Sequence, residues 1–550
     1  MSNKDPKAKN SGAQQNEPVS KNKMIILIAV FVLAACLCVG AVIAVIQTIR
    51  NDNPTEPTVD TEALAEAARN TIAITIGDHQ LTAVELNYFY QDTLNNFYSN
   101  YYYQIYYYGL IDLKTPLNQQ YFDKENNITW ADYFLSLTED SIKSTYLLSD
   151  LAAEQGFTLS AEEQEYVDSL PASITESAKA NKYENVDDFV AAVFGYGADL
   201  ESYMAYFERA LLADAFYAHY AESLEFTDEQ MREFESDSKH LYNSYTYATY
   251  LLDASKFLTG GTEDSDGKIT YTDEQIAASV EAAREAAEAL NGSSCETLEA
   301  FNQLILSMDV NSSLDSVSVK EQSDVFYDTI DASMQEWIIS EERVYGDVTV
   351  VAKKTTSGTG ENAKETITGY YIVWYGGFND NTMMLKDVRH ILVLFKNAEG
   401  KTYSDGITSF TEEQKAAAKA EAEALLAQWQ AGAATEDSFA ELARLKTEDG
   451  GSKSTGGLYE NIYPGQMVEN FENWCFEEGR QHGDTGLVES VYGYHIMFFV
   501  GDSDNNYRDY MILSVMRSEH LNEWHDALLK SAELTVLNTE YCPMDKTLLG

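Results

Sequence analysis

Residues 390–395 read HILVLF and residues 483–500 read GDTGLVESVYGYHIMFFV, and these two stretches decide the fold of this part of the chain. Both are rich in branched and aromatic residues and are bounded by polar or glycine-containing segments, a composition typical of buried strands. Between them lie a helix capped at Thr411 and the helical stretch SFAELARL at residues 438–445. The order of strand, helices, strand and strand predicts a small α+β unit.

An earlier part of the chain repeats this pattern. The matching pieces are ATYLLDA (248–254), TDEQIAASVEAAREAAEAL (272–290), TLEAFNQLI (297–305), ASMQEWII (332–339), GDVTVVAKK (346–354) and GYYIVWY (369–375). The spacing from Trp337 to Trp474 equals the spacing from Gly346 to Gly483. A fixed period of this kind indicates two copies of one structural unit, which we place at residues 239–380 and 385–503.

Composition narrows the class of protein. The chain has 550 residues, with 37 basic and 89 acidic side chains and a formal net charge of −52. This length predicts several domains, and this charge argues against nucleic acid as a partner because phosphate binding needs clustered Lys and Arg. Five scattered cysteines cannot form a disulfide framework in a chain this long.

The N-terminal segment predicts a single membrane anchor. Residues 1–23 are polar and carry five lysines, residues 24–49 are dominated by an uncharged apolar run, and Arg50 follows. Such a run is long enough to span a bilayer, and the lysines put the 1–23 tail in the cytoplasm. A linker then covers residues 50–70, and the bulk of the chain lies outside the cell membrane.

A lipoprotein signal is the alternative anchor. Leu33-Ala34-Ala35-Cys36 resembles a lipidation box, in which Cys36 would carry the lipid after cleavage. The apolar run continues well beyond Cys36, which favours the uncleaved helix. Either anchor tethers the chain to the outer face, and the few cysteines fit a cell surface of the Gram-positive type.

A mostly helical domain is predicted for residues 71–238. Thr82 and Glu85 form a capping box, and several stretches that follow have apolar residues at helical spacing. Tyr88–Tyr108 is about half aromatic, and two interpretations stay open: a helix packed on several sides, or an aromatic surface that holds extended polypeptide. Residues 504–550 predict a C-terminal helix and tail that pack on this domain.

Two histidines stand at corresponding ends of the second repeat, His390 in VRHILV and His495 in VYGYHIMFF. The two histidine motifs occur together with SFAELARL, the loop TEDGGSKSTGGLYENIYPGQM (447–467) and the helix MVENFENWCF (467–476). In the order of these motifs, this segment resembles a parvulin-type peptidyl-prolyl isomerase domain. The opening IGDHQLTAVEL (76–86) and the C-terminal tail resemble the SurA/PrsA-like extracytoplasmic foldases.

The resemblance implies roles for nine residues. The catalytic set is His390, Asp449 and His495. The residues that would contact substrate are Met467, Phe471, Leu458, Tyr459, Ile462 and Ser490. No metal and no cofactor are implied. Each of these residues alone is of an ordinary core type, and only the ordered set points to an isomerase.

The first repeat resembles a degenerate parvulin. Tyr371 stands where the second repeat has His495, and Thr249 or Tyr250 where it has His390. The chain as a whole is therefore expected to be an α+β multidomain protein: a transmembrane helix, a helical SurA/PrsA-like chaperone domain, two parvulin-like domains and a C-terminal helix.

The expected function is a membrane-anchored peptidyl-prolyl cis–trans isomerase and chaperone for newly secreted or unfolded polypeptides with X–Pro bonds. Lys396 and Lys401 are too few for a phosphate-directed parvulin, so no preference for phosphorylated clients is expected. The loop GGLYENI departs from the GGDLG common in parvulins, which keeps open a holdase chaperone with inactive parvulin domains. A surface protein that adheres through the tyrosine-rich stretch is a third hypothesis.

Overall fold

The computed structural model describes residues 60–263, 265, 267–357 and 364–549, which fall into two compact units. One unit combines residues 60–225 with residues 516–549, and the other spans residues 226–515. The predicted cytoplasmic tail, the predicted membrane helix and the start of the linker lie outside the described residues. No helix within the described ranges is long and apolar enough to cross a membrane.

Residues 61–70, which the sequence assigned to the linker, form a helix. Asp60 accepts a hydrogen bond from the Ala63 N–H at 3.1 Å and caps it, and Ala68 is buried on its inner face. The elements of the first unit up to residue 225 are α1 (Thr61–Asn70), β1 (Ile72–Ile76), β2 (His79–Thr82), α2 (Ala83–Asn100), α3 (Tyr102–Tyr108), β3 (Tyr121–Asp123), β4 (Ile128–Thr129), α4 (Trp130–Glu154), α5 (Ala161–Ala180), α6 (Val186–Phe194) and α7 (Leu200–Ser223).

The tyrosine-rich stretch divides into a buried half and an exposed half. Helix α2 begins with the predicted capping box, in which the Glu85 N–H donates to the Thr82 hydroxyl and the Thr82 N–H to the Glu85 carboxylate. Tyr88 and Tyr90 on this helix are fully buried, so the packing interpretation applies to them. In α3, by contrast, Tyr108 has 85% of its surface exposed.

In the second unit, α8 (Asp228–Glu235) precedes the first repeat. The elements of this repeat are β5 (Ser244–Asp253), β6 (Thr262–Glu263), β7 (Ile269–Thr270), α9 (Asp273–Glu288), α10 (Leu298–Leu306), β8 (Lys320–Phe326), α11 (Ala332–Ile338), β9 (Val348–Ser357) and β10 (Lys364–Asn379). The repeat forms a four-stranded sheet with strand order β8-β5-β10-β9. Helices α9 and α10 cover one face of the sheet, and α11 packs against the other.

The second repeat has the equivalent sheet order, β12-β11-β14-β13. Its elements are β11 (Met384–Leu394), α12 (Glu412–Gln430), α13 (Glu436–Lys446), β12 (Leu458–Ile462), α14 (Glu469–Cys475), β13 (Thr485–Glu489) and β14 (Gly493–Asn506). The sequence pattern missed the edge strands β8 and β12, because neither KEQSDVF nor LYENI carries a continuous apolar run. The mixed helix-and-sheet character of the prediction is confirmed.

The chain returns to the first unit at its C-terminal end. Helix α15 (Tyr507–Ser531) is followed by β15 (Leu534–Val536), and from residue 516 onward the chain belongs to the first unit. Strand β15 pairs antiparallel with β1, with Ile74 opposite Val536. The Asn87 side-chain amide donates to the Tyr541 carbonyl at 3.0 Å. The N-terminal helical unit therefore contains both ends of the described chain.

Candidate active site

Two central strands of the second repeat bring His390 and His495 together. Strands β11 and β14 are antiparallel neighbours, with Leu392 opposite His495 and His390 opposite Met497. This register puts the two imidazoles diagonally across the strand pair on one face of the sheet. Their Nδ1 atoms are 3.1 Å apart, and the side chains are only 2% and 5% exposed. Both rings therefore form one buried pair.

Asp449 reaches this pair from the loop that follows α13. Two of the hydrogen bonds that attach the loop to β11 involve Leu392: its N–H donates to the Thr447 hydroxyl at 3.0 Å, and its carbonyl accepts from the Glu448 N–H at 2.9 Å. The Asp449 Oδ2 atom then lies 3.0 Å from His390 Nε2. The loop-to-strand bonds thus fix the carboxylate beside the imidazole.

Three side-chain donors converge on the Oδ2 atom of Asp449. The Ser452 hydroxyl donates to Oδ2 at 2.5 Å and the Tyr459 hydroxyl at 2.9 Å, in addition to His390. Burial raises the pKa of Asp449, but the hydrogen bonds from His390, Ser452 and Tyr459 outweigh it and hold the pKa below the usual carboxyl range. Asp449 is therefore ionised at neutral pH.

An ionised Asp449 can only accept hydrogen bonds, so His390 donates to it from Nε2. The Nδ1 atoms of His390 and His495 share the next hydrogen bond. His495 Nε2 lies 2.7 Å from the Ser490 hydroxyl, which completes the network. Burial and the neighbouring His390 lower the pKa of His495 to about 3, which keeps this ring neutral at pH 7. Ser490, His495, His390 and Asp449 therefore form one continuous hydrogen-bonded network.

Aromatic rings enclose the imidazoles. Phe471 on α14 meets both edge-on, with centroid distances of 5.4 Å to His390 and 5.3 Å to His495. Tyr459 on β12 stacks on His390 at 5.0 Å with an interplanar angle of 22°. These contacts shield the network from water, which strengthens its hydrogen bonds.

The expected substrate-contacting residues surround the network at two depths. Leu458, Tyr459, Met467 and Ser490 are partly exposed, whereas Ile462 is 0% and Phe471 2% exposed. In this conformation only the first group presents surface to a peptide. Phe471 and Ile462 support that surface from beneath.

Sequence reasoning missed three residues that position the network. Ser452 is fully buried beside Asp449 and donates to it. Its position three residues after the aspartate is the sequence feature that could have identified it. Gly457 has φ of +77°, and a Cβ atom there would lie 2.2 Å from the His390 carbonyl oxygen, so only glycine fits. Arg389 donates to the Thr455 carbonyl at 2.7 Å and holds the loop on the sheet.

Two lysines near the network are held in ion pairs, and the nearby cysteine thiol is buried. Lys396 pairs with Glu448, and Lys415 pairs with Glu489 at 2.9 Å. Burial raises the pKa of the Cys475 thiol to about 12, so this thiol is protonated and unreactive. Within the described ranges, no group of three or more His, Cys, Asp or Glu side chains is arranged to hold a metal ion.

Comparison with protein families identifies the second repeat. Residues 390–500 match the model described as rotamase, PPIC-type PPIase domain. This segment is a parvulin-type domain, of the class that isomerises peptidyl-prolyl bonds, and the resemblance stated from its motifs is confirmed. The match begins at His390 and includes Asp449 and His495.

Curated relatives carry the name foldase protein PrsA. The chain is 27% identical over 112 residues to PrsA 1 of Listeria innocua and 37% identical over 59 residues to PrsA of Exiguobacterium sibiricum, covering 19% and 11% of this chain. It spans only 38% and 19% of the length of these relatives. A crystal structure of PrsA from Bacillus anthracis aligns at 23% identity with a TM-score of 0.18, covering 28% of this chain and 59% of that one. The expected PrsA-like resemblance is confirmed over the shared segment.

Proposed function

We propose that this chain is an extracytoplasmic peptidyl-prolyl cis–trans isomerase and chaperone, with catalysis in the second repeat. The observation that carries the proposal is the buried network from Ser490 through His495 and His390 to Asp449, with each distance at or below 3.1 Å. It lies in a domain of the parvulin type. We assign His390, Asp449 and His495 as the catalytic set.

The reaction requires positioning rather than covalent chemistry. Rotation about a peptide bond crosses a barrier of about 18–20 kcal/mol because the planar amide is stabilised by resonance. A site that binds the twisted amide better than the planar one lowers this barrier. The two fixed imidazoles and the ionised Asp449 beside them supply an oriented field in a site that excludes water.

The proline ring would rest against the partly exposed residues. Met467 and Leu458 offer apolar surface, and the Tyr459 ring, held by its bond to Asp449, offers a flat face. Phe471 keeps the two imidazoles in place beneath that surface. We assign Met467, Leu458, Tyr459 and Ser490 to direct contact with the peptide.

The charges at the site argue against a phosphorylated client. Lys396 is paired with Glu448, Lys401 lies 3.7 Å from Glu399, and Lys415 is paired with Glu489. A phosphate would have to compete with these carboxylates for each ammonium group. We therefore propose X–Pro clients without phosphate, drawn from unfolded or newly secreted polypeptides.

In this proposal the helical unit provides the chaperone function. The first repeat is a parvulin-like domain without catalytic activity, and residues 24–49 form the membrane anchor. Residues 239–380 and 385–503 are the proposed bounds of the two parvulin-like domains. Fractionation of cells that express the chain with or without residues 24–49 tests the anchor. A Cys36→Ala variant that leaves the membrane would favour the lipoprotein instead.

A holdase with inactive parvulin domains is the second candidate. The observation that favours it is the 2% exposure of Phe471, since the ring that would grip proline is covered by the protein itself. On this alternative the domains bind polypeptide without accelerating prolyl isomerisation. The two candidates differ only in rate and are separated by one assay.

The test is a proline-limited refolding assay with the full chain and with His390→Ala. We expect wild type to accelerate the slow phase and the variant to lose at least about tenfold in kcat/KM, equivalent to about 1.4 kcal/mol of barrier. The exposed His482, which lies in the same domain, is the matched control, and His482→Ala retains the wild-type rate. A wild-type chain that suppresses aggregation without accelerating refolding would establish the holdase.

A further inference from the structure

A second polar cavity lies in the helical unit, away from the histidine network. Its volume is about 310 Å³, at the small end of the range for ligand sites. It is lined by residues of α1, β2, α2, α4, α7 and the turn before α7, among them Arg69, Glu85, Tyr146, Asp199, Tyr206 and Arg209. Two arginines and two acids thus face one space.

The two acids are already bound by neutral donors. Glu85 Oε2 accepts from the Thr82 N–H at 2.8 Å and from the Thr82 hydroxyl at 2.9 Å. Asp199 Oδ1 accepts from the Ser202 N–H at 2.9 Å and from its hydroxyl at 2.7 Å. Both carboxylates serve as helix caps, and Asp199 Oδ2 also lies 3.8 Å from Arg69 Nε.

Arg209 is the unusual member of the lining. It is partly buried, its guanidinium lies 4.6 Å from the centroid of the Tyr146 ring, and Nη1 donates to the Ser149 hydroxyl at 3.1 Å. Among the described residues, no carboxylate lies within 4.0 Å of it. This is notable in a chain with 89 acidic residues. Because a guanidinium has five N–H groups and Arg209 uses one of them here, several remain for an external acceptor.

Part of the cavity lining is apolar. Val84 and Phe89 from α2 line it together with the ring of Tyr206. Phe89 and Tyr206 meet edge-on at 4.8 Å, and the Tyr206 hydroxyl is held by Asp92 at 2.5 Å. The wall is therefore fixed by packing and by a hydrogen bond before any ligand enters.

We propose that this cavity binds a carboxylate attached to an apolar side chain. The planar guanidinium of Arg209 matches the two oxygens of a carboxylate, and the wall of Val84, Phe89 and Tyr206 takes the side chain beside it. The C-terminal residue of a polypeptide and a free apolar amino acid share this chemistry. The site acts independently of the isomerase proposal, because it uses no residue of the second unit.

Calorimetry on the full chain tests the site with three probes. N-acetylphenylalanine carries the carboxylate, its amide lacks the charge, and free phenylalanine adds an ammonium group. We expect the acid to bind at least about tenfold more tightly than the amide. Tighter binding of free phenylalanine than of the acetylated acid would identify an amino acid site, and the reverse order would identify a peptide C-terminus.

Variants locate the binding. Arg209→Gln is expected to lose at least about tenfold in affinity for N-acetylphenylalanine. Arg209→Lys is expected to lose less, because lysine keeps the positive charge but cannot form two parallel hydrogen bonds to a carboxylate. Arg517→Gln, an exposed guanidinium in the same unit that bonds the Leu224 carbonyl at 3.4 Å, is the matched control and retains wild-type binding. Equal binding of acid and amide by wild type, or no heat with either at about 10 mM, overturns the proposal even if the Arg209 variants fail to fold.

Discussion

The two repeats of the second unit have equivalent strand orders but differ at the two histidine positions. Where the second repeat has His390 and His495, the first repeat has Thr249 and Tyr371. Leu251 pairs with Tyr371 just as Leu392 pairs with His495, so the strand registers correspond. The register settles the open alternative for His390 in favour of Thr249. The same framework therefore carries different side chains at the positions that would perform chemistry.

Packing positions are retained where chemical positions are not. The Arg343 guanidinium lies 5.0 Å from the Trp337 ring centroid in the first repeat, and Arg480 lies 3.7 Å from Trp474 in the second. In the first repeat, Tyr247 fills the sheet face under α11 and donates to the Gln322 side chain at 3.2 Å. Packing tolerates substitution by other large side chains, whereas a hydrogen-bond network requires every member.

The largest expected effect comes from truncating the buried side chain of the short helix in each repeat, Phe471 on α14 and Met334 on α11. Phe471→Ala is expected to cost about 3–5 kcal/mol of unfolding free energy, and Met334→Ala about 2–5 kcal/mol, because each leaves a cavity in a buried cluster. Only Phe471→Ala should also lower isomerase activity, since Met334 contacts no imidazole pair. Urea unfolding and a prolyl-peptide assay measure the two effects, and loss of activity in Met334→Ala would refute the proposed division of roles.

A smaller effect concerns pH. The pKa of His495 is lowered from about 6.5 to about 3, so below pH 6.5 the unfolded chain binds a proton that the folded chain does not. The free energy of unfolding should therefore decrease as pH falls from 6.5 toward 3, by at most about 1.4 kcal/mol per pH unit from this group.

The difference in unfolding free energy between wild type and His495→Gln, measured from pH 7 to 4.5, isolates this effect from carboxylate titration. We expect that difference to change with pH. Tyr371→Phe, the matched change in the first repeat, should leave the wild-type slope intact because Tyr371 does not titrate there. If unfolding free energy depends on pH in the same way for wild type and His495→Gln, the pKa of His495 is the same in the folded and the unfolded chain, which would contradict the prediction.

The smallest effect is expected from copying the histidines into the first repeat. In a His390→Ala background, the double change Thr249→His and Tyr371→His should restore no isomerase activity. The first repeat lacks the loop that brings Asp449 and Ser452 to the ring, so the grafted imidazoles would have no carboxylate to fix their protons. Recovery of a measurable rate in the refolding assay would show that two imidazoles alone suffice.

Much of the architecture was predictable because it depends on local periodicity. The capping threonines Thr82, Thr272 and Thr411 and the apolar runs of β11 and β14 are signals carried by neighbouring residues, and they predicted these elements correctly. The helix at residues 61–70 and the edge strands β8 and β12 were missed. Neither edge strand carries a continuous apolar run, and the pairing or packing partners of all three elements lie elsewhere in the chain.

The candidate site was predictable as a set of residue types but not as a geometry. Nothing in the local sequence could indicate that Phe471 would be buried and Met467 partly exposed, because exposure depends on how α14 packs on the sheet. The arginine-containing cavity of the helical unit gave no sequence signal, since Arg69, Glu85 and Arg209 are far apart along the chain.

The amino-acid sequence by itself determined the repeat, the capped helices, the acidic charge and the parvulin-type motif order, because each is written in neighbouring residues or in a fixed spacing. Only the tertiary structure decided that His390, His495, Asp449 and Ser490 form one chain of hydrogen bonds. The physical reason is that donation at about 3 Å depends on strand register and loop attachment, which arise from contacts between residues distant in sequence.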